Sequence, residues 1–191
     1  MKILLTTLHA KYSHASLALP YLAAYCCDIP GADMTIREWT VNEPREQLLK
    51  LIMAERAELI AFSCYIWNIE QTLKIVSDIK KITPETRIVL GGPEASFNTF
   101  DLMHANPAVD FVIKGEGEEV FRRLLVALLQ EPTTLLRDSL AEIDNLFFRD
   151  GDDTAAGPLS RKQLALDSLP SPFAAELVDF SKVLYLSSLK H

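Results

Sequence analysis

The stretch Leu59-Ile60-Ala61-Phe62-Ser63-Cys64-Tyr65 decides the fold of this chain. It is apolar on both alternations, which is typical of a central strand in a parallel sheet with helices on both faces. Other strand-like runs occupy residues 2–8, 34–41, 87–90 and 109–114. Helix-like segments separate them, at residues 16–27, 43–56, 70–82 and 118–130. This alternation is the rhythm of βαβ units.

Such an alternation predicts a doubly wound α/β fold, flavodoxin-like or Rossmann-like, in which helices flank a five-stranded parallel sheet. We expect this domain to span residues 1–131. Residues 132–191 contain turn-forming stretches such as Asp150-Gly151-Asp152-Asp153 and a proline-punctuated piece at residues 166–173. They predict an extended C-terminal linker with one hairpin, followed by a strand-like run at residues 182–188.

Composition narrows the class of protein. The chain has 191 residues, of which 49% are hydrophobic, as in a globular protein. Its net charge of −7 argues against a nucleic-acid partner, because an acidic surface repels the phosphate backbone. The longest near-apolar run, residues 59–67, is far shorter than the ~20 residues of a membrane span. We therefore expect neither nucleic-acid binding nor membrane insertion.

The cysteines point to a reducing compartment. Cys26 and Cys27 are adjacent and Cys64 is distant, a spacing that matches no disulfide framework, zinc site or iron–sulfur motif. The N-terminal apolar run is interrupted within a few residues by His9 and Lys11, unlike a signal peptide. The sequence therefore predicts a cytoplasmic protein.

Three short patches follow the third, fourth and fifth predicted strands. They are Ser63-Cys64-Tyr65-Ile66-Trp67-Asn68, Gly91-Gly92-Pro93-Glu94 and Gly115-Glu116-Gly117-Glu118. Because parallel strands place their carboxyl ends at the same edge of a sheet, we expect the three patches to meet there. The sequence thus predicts one composite ligand site.

Each patch has a structural and a functional interpretation. Gly91 and Gly92 allow a close backbone approach to a ligand, or form a tight strand-to-helix turn. The acidic patch at residues 115–118 suits a helix start that carboxylates stabilise, or a ligand rich in neutral amide donors. It does not suit a phosphate, which its carboxylates would repel. No dinucleotide or nucleoside-triphosphate motif is present, and the third strand lacks the phosphoacceptor aspartate of a receiver domain.

The loop after the first strand contains histidines and an aromatic residue. His9 and His14 are candidate metal ligands, although a histidine in a polar loop is more often solvated or hydrogen-bonded. Tyr12, Tyr65 and Trp67 are candidates for an aromatic wall at the same edge, while Trp67 suits a partly buried packing residue equally well.

On these residues the chain resembles the N-terminal cobalamin (B12)-binding domains of B12-dependent radical SAM proteins. The resemblance rests on Ser16-Leu17-Ala18-Leu19-Pro20-Tyr21-Leu22-Ala23-Ala24, Phe62-Ser63-Cys64-Tyr65-Ile66-Trp67-Asn68, Leu90-Gly91-Gly92-Pro93-Glu94-Ala95 and Val112-Ile113-Lys114-Gly115-Glu116-Gly117-Glu118. It extends into Leu166-Asp167-Ser168-Leu169-Pro170-Ser171-Pro172-Phe173, which looks like the connector that these proteins place before the radical SAM barrel.

The resemblance implies a cobalamin site built from the three patches. Ser63, Gly91 and Gly92 match the positions that line the groove for the nucleotide tail, and the corrin would lie across the carboxyl edge. The amides of its rim fit the acidic loop at residues 115–118. The implied cofactor-binding residues are His9, Tyr12, Ser63, Tyr65, Trp67, Asn68, Gly91, Gly92, Pro93, Glu94, Gly115, Glu116, Gly117 and Glu118.

Two departures from related families change the expectation. Methionine-synthase-type domains carry Asp-x-His-x-x-Gly after the first strand, whereas this chain has Thr7 for the aspartate and Tyr12 for the glycine. His9 therefore lacks the carboxylate partner that orients a ligating imidazole, and we expect cobalamin with its own base displaced and no histidine under the cobalt. Tyr65 or Trp67 would cover that face instead.

The second departure concerns the iron–sulfur cluster. No Cys-x-x-x-Cys-x-x-Cys run is present, so a 4Fe–4S cluster and S-adenosylmethionine would belong to a radical SAM domain absent from this chain. The expected function is that of a cobalamin-binding module of a B12-dependent radical SAM enzyme, a methyltransferase in its intact form. The module is not expected to catalyse a reaction alone. The alternative is a flavodoxin-like FMN-binding or protein-interaction module without a corrin.

Overall fold

The structure of the chain is a computed structural model, which describes residues 1–10, 16–161, 164–165 and 169–172. Tyr12, His14, the strand-like run at 182–188 and part of the predicted connector lie outside the described residues. None of the helices within the described ranges is long and apolar enough to cross a membrane.

Strands and helices alternate along most of the chain. The strands are β1 Lys2–His9, β2 Asp33–Thr40, β3 Leu59–Ser63, β4 Arg87–Gly91, β5 Phe111–Ile113, β6 Leu146–Asp150 and β7 Asp153–Ala156. The helices are α1 Ala18–Cys26, α2 Arg45–Ala54, α3 Ile69–Ile82, α4 Pro93–Phe97, α5 Thr99–Ala105, α6 Glu118–Gln130 and α7 Thr133–Ala141. The two short helices α4 and α5 together connect β4 to β5.

The described strands form one sheet in the order β2-β1-β3-β4-β5-β6-β7. Strands β1 to β5 pair in parallel, which confirms the α/β class and the flanking helices. The expectation of a purely parallel, five-stranded sheet is wrong, because β6 and β7 add two antiparallel strands beyond β5. The result is a seven-stranded mixed sheet.

The added hairpin explains the difference. Its turn at Gly151 has a φ of +62°, as the turn-forming composition predicts, and the strands on either side pair in antiparallel fashion. Phe147 and Phe148 are both buried, since β6 lies between β5 and β7 with core on both faces. The sheet thus continues past residue 131. The division of the chain into a domain at residues 1–131 and a linker at residues 132–191 stays a prediction.

Each face of the sheet covers its own hydrophobic core. On one face, Leu5, Ala61 and Val89 pack with residues of α1 and α6. On the other face, Phe62 and Leu90 pack with residues of α2 and α3. The strand order reverses between β1 and β3, the point at which ligands bind in doubly wound folds. The carboxyl ends of β1, β3, β4 and β5 lie along that edge.

Candidate functional site

A cavity of about 250 Å³ opens at the carboxyl edge, between the ends of β3, β4 and β5 and the helices α1 and α6. Residues from all three predicted patches line it: Ser63, Tyr65, Gly91, Gly92, Pro93, Gly115, Glu116, Gly117 and Glu118. The structure therefore brings together segments that are far apart in the sequence. The patches share one cavity, as the parallel-strand argument predicts.

Small residues at two strand ends keep this cavity open. Ser63 of β3 is paired with Gly91 of β4, and both continue the face that carries Ala61 and Val89 two residues earlier. A Cβ atom placed on Gly91 would meet no atom within 4 Å. The paired positions Ser63 and Gly91, called the row at Ser63 and Gly91 below, carry no large side chain, and the cavity exists because they leave this space unfilled.

Gly92 has a different role from Gly91. Its φ is +94°, and a Cβ atom there would lie 2.5 Å from the carbonyl oxygen of Cys64 and 2.9 Å from its nitrogen. The loops after β3 and β4 therefore touch backbone to backbone. Glu94, two residues after Gly92, does not line the cavity. Its N–H donates to the Cys64 carbonyl at 3.4 Å.

Ser96 joins the loops after β4 and β5, and no motif in the sequence marks it. Its hydroxyl donates to the carbonyl of Gly92 at 2.8 Å and accepts the N–H of Gly115 at 3.2 Å. Gly115 has a φ of +81°, a backbone conformation that favours glycine. One serine on α4 thus fixes two of the glycine turns at the cavity.

Asn68 holds the loop after β3 from below and does not line the cavity. Its side chain is fully buried, and its amide nitrogen donates to the carbonyls of Leu8 at 3.0 Å and Ser63 at 3.2 Å. Its Oδ1 accepts the N–H of Tyr65 at 2.8 Å. Asn68 therefore positions Tyr65 and does not face the cavity.

Tyr65 and Trp67 form a stacked pair at the rim. Their ring centroids are 4.6 Å apart and the rings are parallel to within 3°. Tyr65 lines the cavity, while Trp67 lies behind it, 47% exposed, and lines a separate shallow depression with Arg45 and Lys74. Of the predicted aromatic wall, Tyr65 lines the cavity and Trp67 supports it, while Tyr12 lies outside the described residues.

His9 ends β1 and does not line the cavity. Its Nε2 lies 3.5 Å from Oε1 of Glu38, a residue of the neighbouring strand β2. The same Glu38 accepts the N–H of Ser16 at 2.9 Å. The expectation that His9 lacks a carboxylate neighbour is wrong, because the register of β1 and β2 supplies one from another strand. Thr7, in the aspartate position, instead donates to the Ser63 carbonyl at 2.8 Å.

Helix α6 begins at the cavity with two glutamates in its first turn. Glu118 lines the cavity, whereas Glu119 accepts the hydroxyl of Tyr25 from α1 at 2.8 Å. That hydrogen bond is the main reason why the pKa of Tyr25 is raised above its usual value. It ties together the two helices that enclose the cavity. Glu116 accepts the N–H of Leu164 at 3.1 Å.

The helical wall of the cavity could not be recognised from the sequence. Ala18, Leu19 and Leu22 of α1 and Phe121 of α6 line it. As apolar residues at helical spacing, they look like ordinary core residues in a sequence. Their place beside the strand ends is a property of the packed structure.

A second, larger cleft of about 1020 Å³ adjoins the acidic loop on its other side. It shares Gly115 and Glu116 with the first cavity, and its walls carry Arg123, Asp144 and Arg161. We favour the smaller cavity as the ligand site because it lies over the carboxyl ends of β3, β4 and β5, where this fold binds ligands.

The two buried cysteines are poor nucleophiles and poor metal ligands. Burial raises the pKa of the Cys26 thiol to about 12, and it also raises the pKa of Cys64. Both therefore stay protonated near neutral pH. Within the part of the chain that the structure describes, no group of three or more His, Cys, Asp or Glu side chains could hold a metal ion.

A comparison with protein families decides the class of this chain. The sequence profile of the B12 binding domain matches residues 3–125, which contain β1 to β5, α6 up to Leu125 and all three patches. The chain belongs to the B12-binding domain family. The resemblance to cobalamin-binding domains that the sequence motifs indicate is thereby confirmed.

Curated relatives of this B12-binding domain are several times longer than the chain. It is 28% identical over 122 residues to the cobalamin-dependent radical SAM methyltransferase TokK of Streptomyces tokunonensis, covering 64% of the chain and 17% of that protein. It is 27% identical over 133 residues to the anaerobic magnesium-protoporphyrin IX monomethyl ester cyclase of Cereibacter sphaeroides, covering 68% and 21%. The chain thus spans about a fifth of the length of these relatives.

Solved structures share the fold. The cobalamin-dependent S-adenosylmethionine radical enzyme OxsB, with aqua-cobalamin and S-adenosylmethionine bound, superposes with a TM-score of 0.68 at 16% identity, covering 84% of this chain and 22% of OxsB. The radical S-adenosylmethionine methyltransferase TsrM from Kitasatospora setae superposes with a TM-score of 0.63 at 19% identity, covering 82% and 30%.

Proposed function

We propose that this chain binds cobalamin at the carboxyl edge of its sheet, with the base of the nucleotide tail in the 250 Å³ cavity and the corrin across the edge above it. The observation that carries the proposal is the unfilled row at Ser63 and Gly91, inside a domain of the B12-binding family. A Cβ at Gly91 would project into open space, so the cavity is a cradle that a side chain would fill.

The rim supplies the contacts to the corrin. The peripheral amides of the corrin would donate to the carboxylates of Glu116 and Glu118. Gly115 and Gly117 would keep the backbone of that loop close to the ligand. Tyr65, supported by the stacked Trp67, would cover the lower face. With its base in the cavity, the cobalamin would be bound with that base displaced from the cobalt. A histidine ligand forms no part of the proposal, because Nε2 of His9 lies 3.5 Å from the carboxylate of Glu38.

In the intact protein, this module would serve a radical SAM domain of the same polypeptide. Curated relatives named as methyltransferases support methyl transfer as the reaction class. The bound cobalamin would supply the methyl carrier, whereas the 4Fe–4S cluster and S-adenosylmethionine would belong to the other domain. This chain's own residues bind and orient the cofactor. A cytoplasmic location agrees with the free cysteines among the described residues.

The test is retention of a chromophore. Purified chain mixed with hydroxocobalamin and desalted should stay red and show corrin absorption bands. A yellow protein after mixing with FMN, without corrin retention, would favour the flavin-binding alternative. A chain that stays colourless with both cofactors would favour an interaction module.

Gly91→Leu tests the location of the site. The new side chain would occupy the cavity without touching other atoms at its Cβ, so the fold should persist while cobalamin retention is lost. Gln47→Leu is the matched control, since it adds the same side chain at an exposed position on α2, on the other side of the sheet. Equal retention by both variants would place the site elsewhere.

A further inference from the structure

The interior of the cavity is apolar. Ala61, Val89 and Ile113 form its floor on the sheet, and Leu19 and Phe121 close it from the helices. All five are buried core residues. The charged lining residues Glu116 and Glu118 are exposed or half-buried and so lie towards solvent. Any group that enters fully is thus surrounded by hydrocarbon.

Three backbone carbonyls around this interior already accept hydrogen bonds within the protein. The carbonyl of Gly91 accepts the N–H of Cys64 at 2.7 Å, and the carbonyl of Ser63 accepts Thr7 Oγ1 at 2.8 Å. The carbonyl of Gly92 accepts from Ser96. Among the described lining residues, Ser63 is the buried one with a polar side chain. The buried walls therefore provide one side-chain hydroxyl for a hydrogen bond to an entering ring, while Tyr65 is only half-buried.

We infer, on the basis of the proposed function, that this module selects among cobamides by the lower base of the nucleotide tail, favouring an apolar benzimidazole over adenine. Dimethylbenzimidazole presents two methyl groups and one ring nitrogen, which match hydrocarbon walls and a single hydroxyl. Adenine carries an exocyclic amino group and further ring nitrogens, which would lose water without gaining partners.

The size of the cavity agrees with this ligand. A buried apolar cavity of about 150 Å³ accommodates benzene. The cavity of about 250 Å³ in this chain exceeds that volume roughly as a substituted bicyclic ring exceeds benzene in size. Because a hydrophobic pocket rejects a polar analogue of similar shape only moderately, we expect about a tenfold to hundredfold preference.

The experiment compares three corrinoids by spectroscopic titration of the chain. Cobalamin should bind most tightly, the adenine-containing cobamide at least about tenfold more weakly, and cobinamide, which lacks the nucleotide, more weakly than cobalamin. Equal affinity for cobalamin and the adenine cobamide would overturn the inference and leave the proposed function standing. Equal affinity for cobinamide would show that the tail does not occupy the cavity. If none of the three binds, the proposed function fails as well.

A pair of variants locates the selectivity. Val89→Thr places a hydroxyl in the cavity floor with little change in shape, and should reduce the preference for cobalamin over the adenine cobamide several-fold. Val112→Thr makes the same change at a fully buried position on the opposite face of the sheet, and should leave the preference unchanged. An unchanged preference in Val89→Thr, with binding intact, would overturn the assignment of selectivity to this floor.

Discussion

The two faces of the central strands end differently at the carboxyl edge. Towards α2 and α3, the last inward residues are Phe62 and Leu90, which are buried and fill the core. Towards α1 and α6, the next residues along the same strands are Ser63 and Gly91, which leave a cavity. One face is closed and the other open, although both belong to the same two strands.

This contrast shows that a site can form where two positions of a sheet lack large side chains. Alternate residues of a strand point to opposite faces, so a change of residue size at one position alters one face alone. The cavity side keeps an ordinary core farther down the strands, at Ala61 and Val89. Two small residues at the strand ends are therefore enough to open a pocket without weakening the rest of the sheet.

The largest expected effect is a loss of stability on truncation of Leu90, which the neighbouring residue Gly91 should not show. Leu90→Ala leaves a void in the closed core and should lower the free energy of unfolding by about 2–5 kcal/mol. Gly91→Ala, one residue further, adds a Cβ in open space and should change it by less than about 0.5 kcal/mol. Urea denaturation measures both. Similar losses in the two variants would remove the distinction between the faces.

Gly92→Ala should be the next most damaging change. The variant combines a left-handed backbone with a Cβ 2.5 Å from the Cys64 carbonyl oxygen, so about 2–4 kcal/mol of stability should be lost. Urea denaturation of Gly92→Ala beside Gly91→Ala checks this. Equal stability of the two alanine variants would mean that the loops after β3 and β4 do not touch as described.

Asn68→Ala tests the support under the open face. Removal of the amide leaves the N–H of Tyr65 and the carbonyl of Leu8 without this partner, which should cost about 1–3 kcal/mol. Cobalamin should also bind more weakly, since Tyr65 loses its anchor. Asn98→Ala is the control, because Asn98 is exposed and its amide pairs with Asp101 at the surface. Thermal unfolding that is equal for the two variants would contradict the role of Asn68.

Much of the fold and of the candidate site follows from local patterns. Strands β1 to β5 were predictable because their apolar runs are bounded by polar segments, and the meeting of the three patches followed from the geometry of parallel strands. The sequence predicts the hairpin of β6 and β7 but not its place in the sheet, since a turn such as Asp150-Gly151-Asp152-Asp153 looks the same in a linker and at a sheet edge.

Other features depend on register and packing, which one sequence does not reveal. Glu38 approaches His9 because β2 lies beside β1 in a particular alignment. Ser96 connects two glycine turns through its position on a short helix. The buried position of Asn68 is a further example, because a polar residue after a strand end looks the same in a sequence whether it faces a ligand or the interior.

An effect that builds up gradually, by about 1 kcal/mol per pH unit, tests whether the cavity on the face towards α1 and α6 is confined to the carboxyl edge. Cys26 belongs to the core of the cavity face and Cys64 to that of the closed face, yet both are fully buried. Burial raises the pKa of Cys26 from 9.0 to about 12. Above pH 9 the unfolded chain therefore loses this proton while the folded chain keeps it, so stability falls as pH rises from 9 to about 12, by about 1 kcal/mol per pH unit.

Urea denaturation at a series of pH values checks this prediction. Cys26→Ala should flatten the decline between pH 9 and 12, and Cys64→Ala should do the same for the closed face, where burial also raises the pKa. If Cys26→Ala left the slope unchanged while Cys64→Ala flattened it, water would reach the thiol of Cys26, and the opening would extend beyond the row at Ser63 and Gly91 into the core beneath α1.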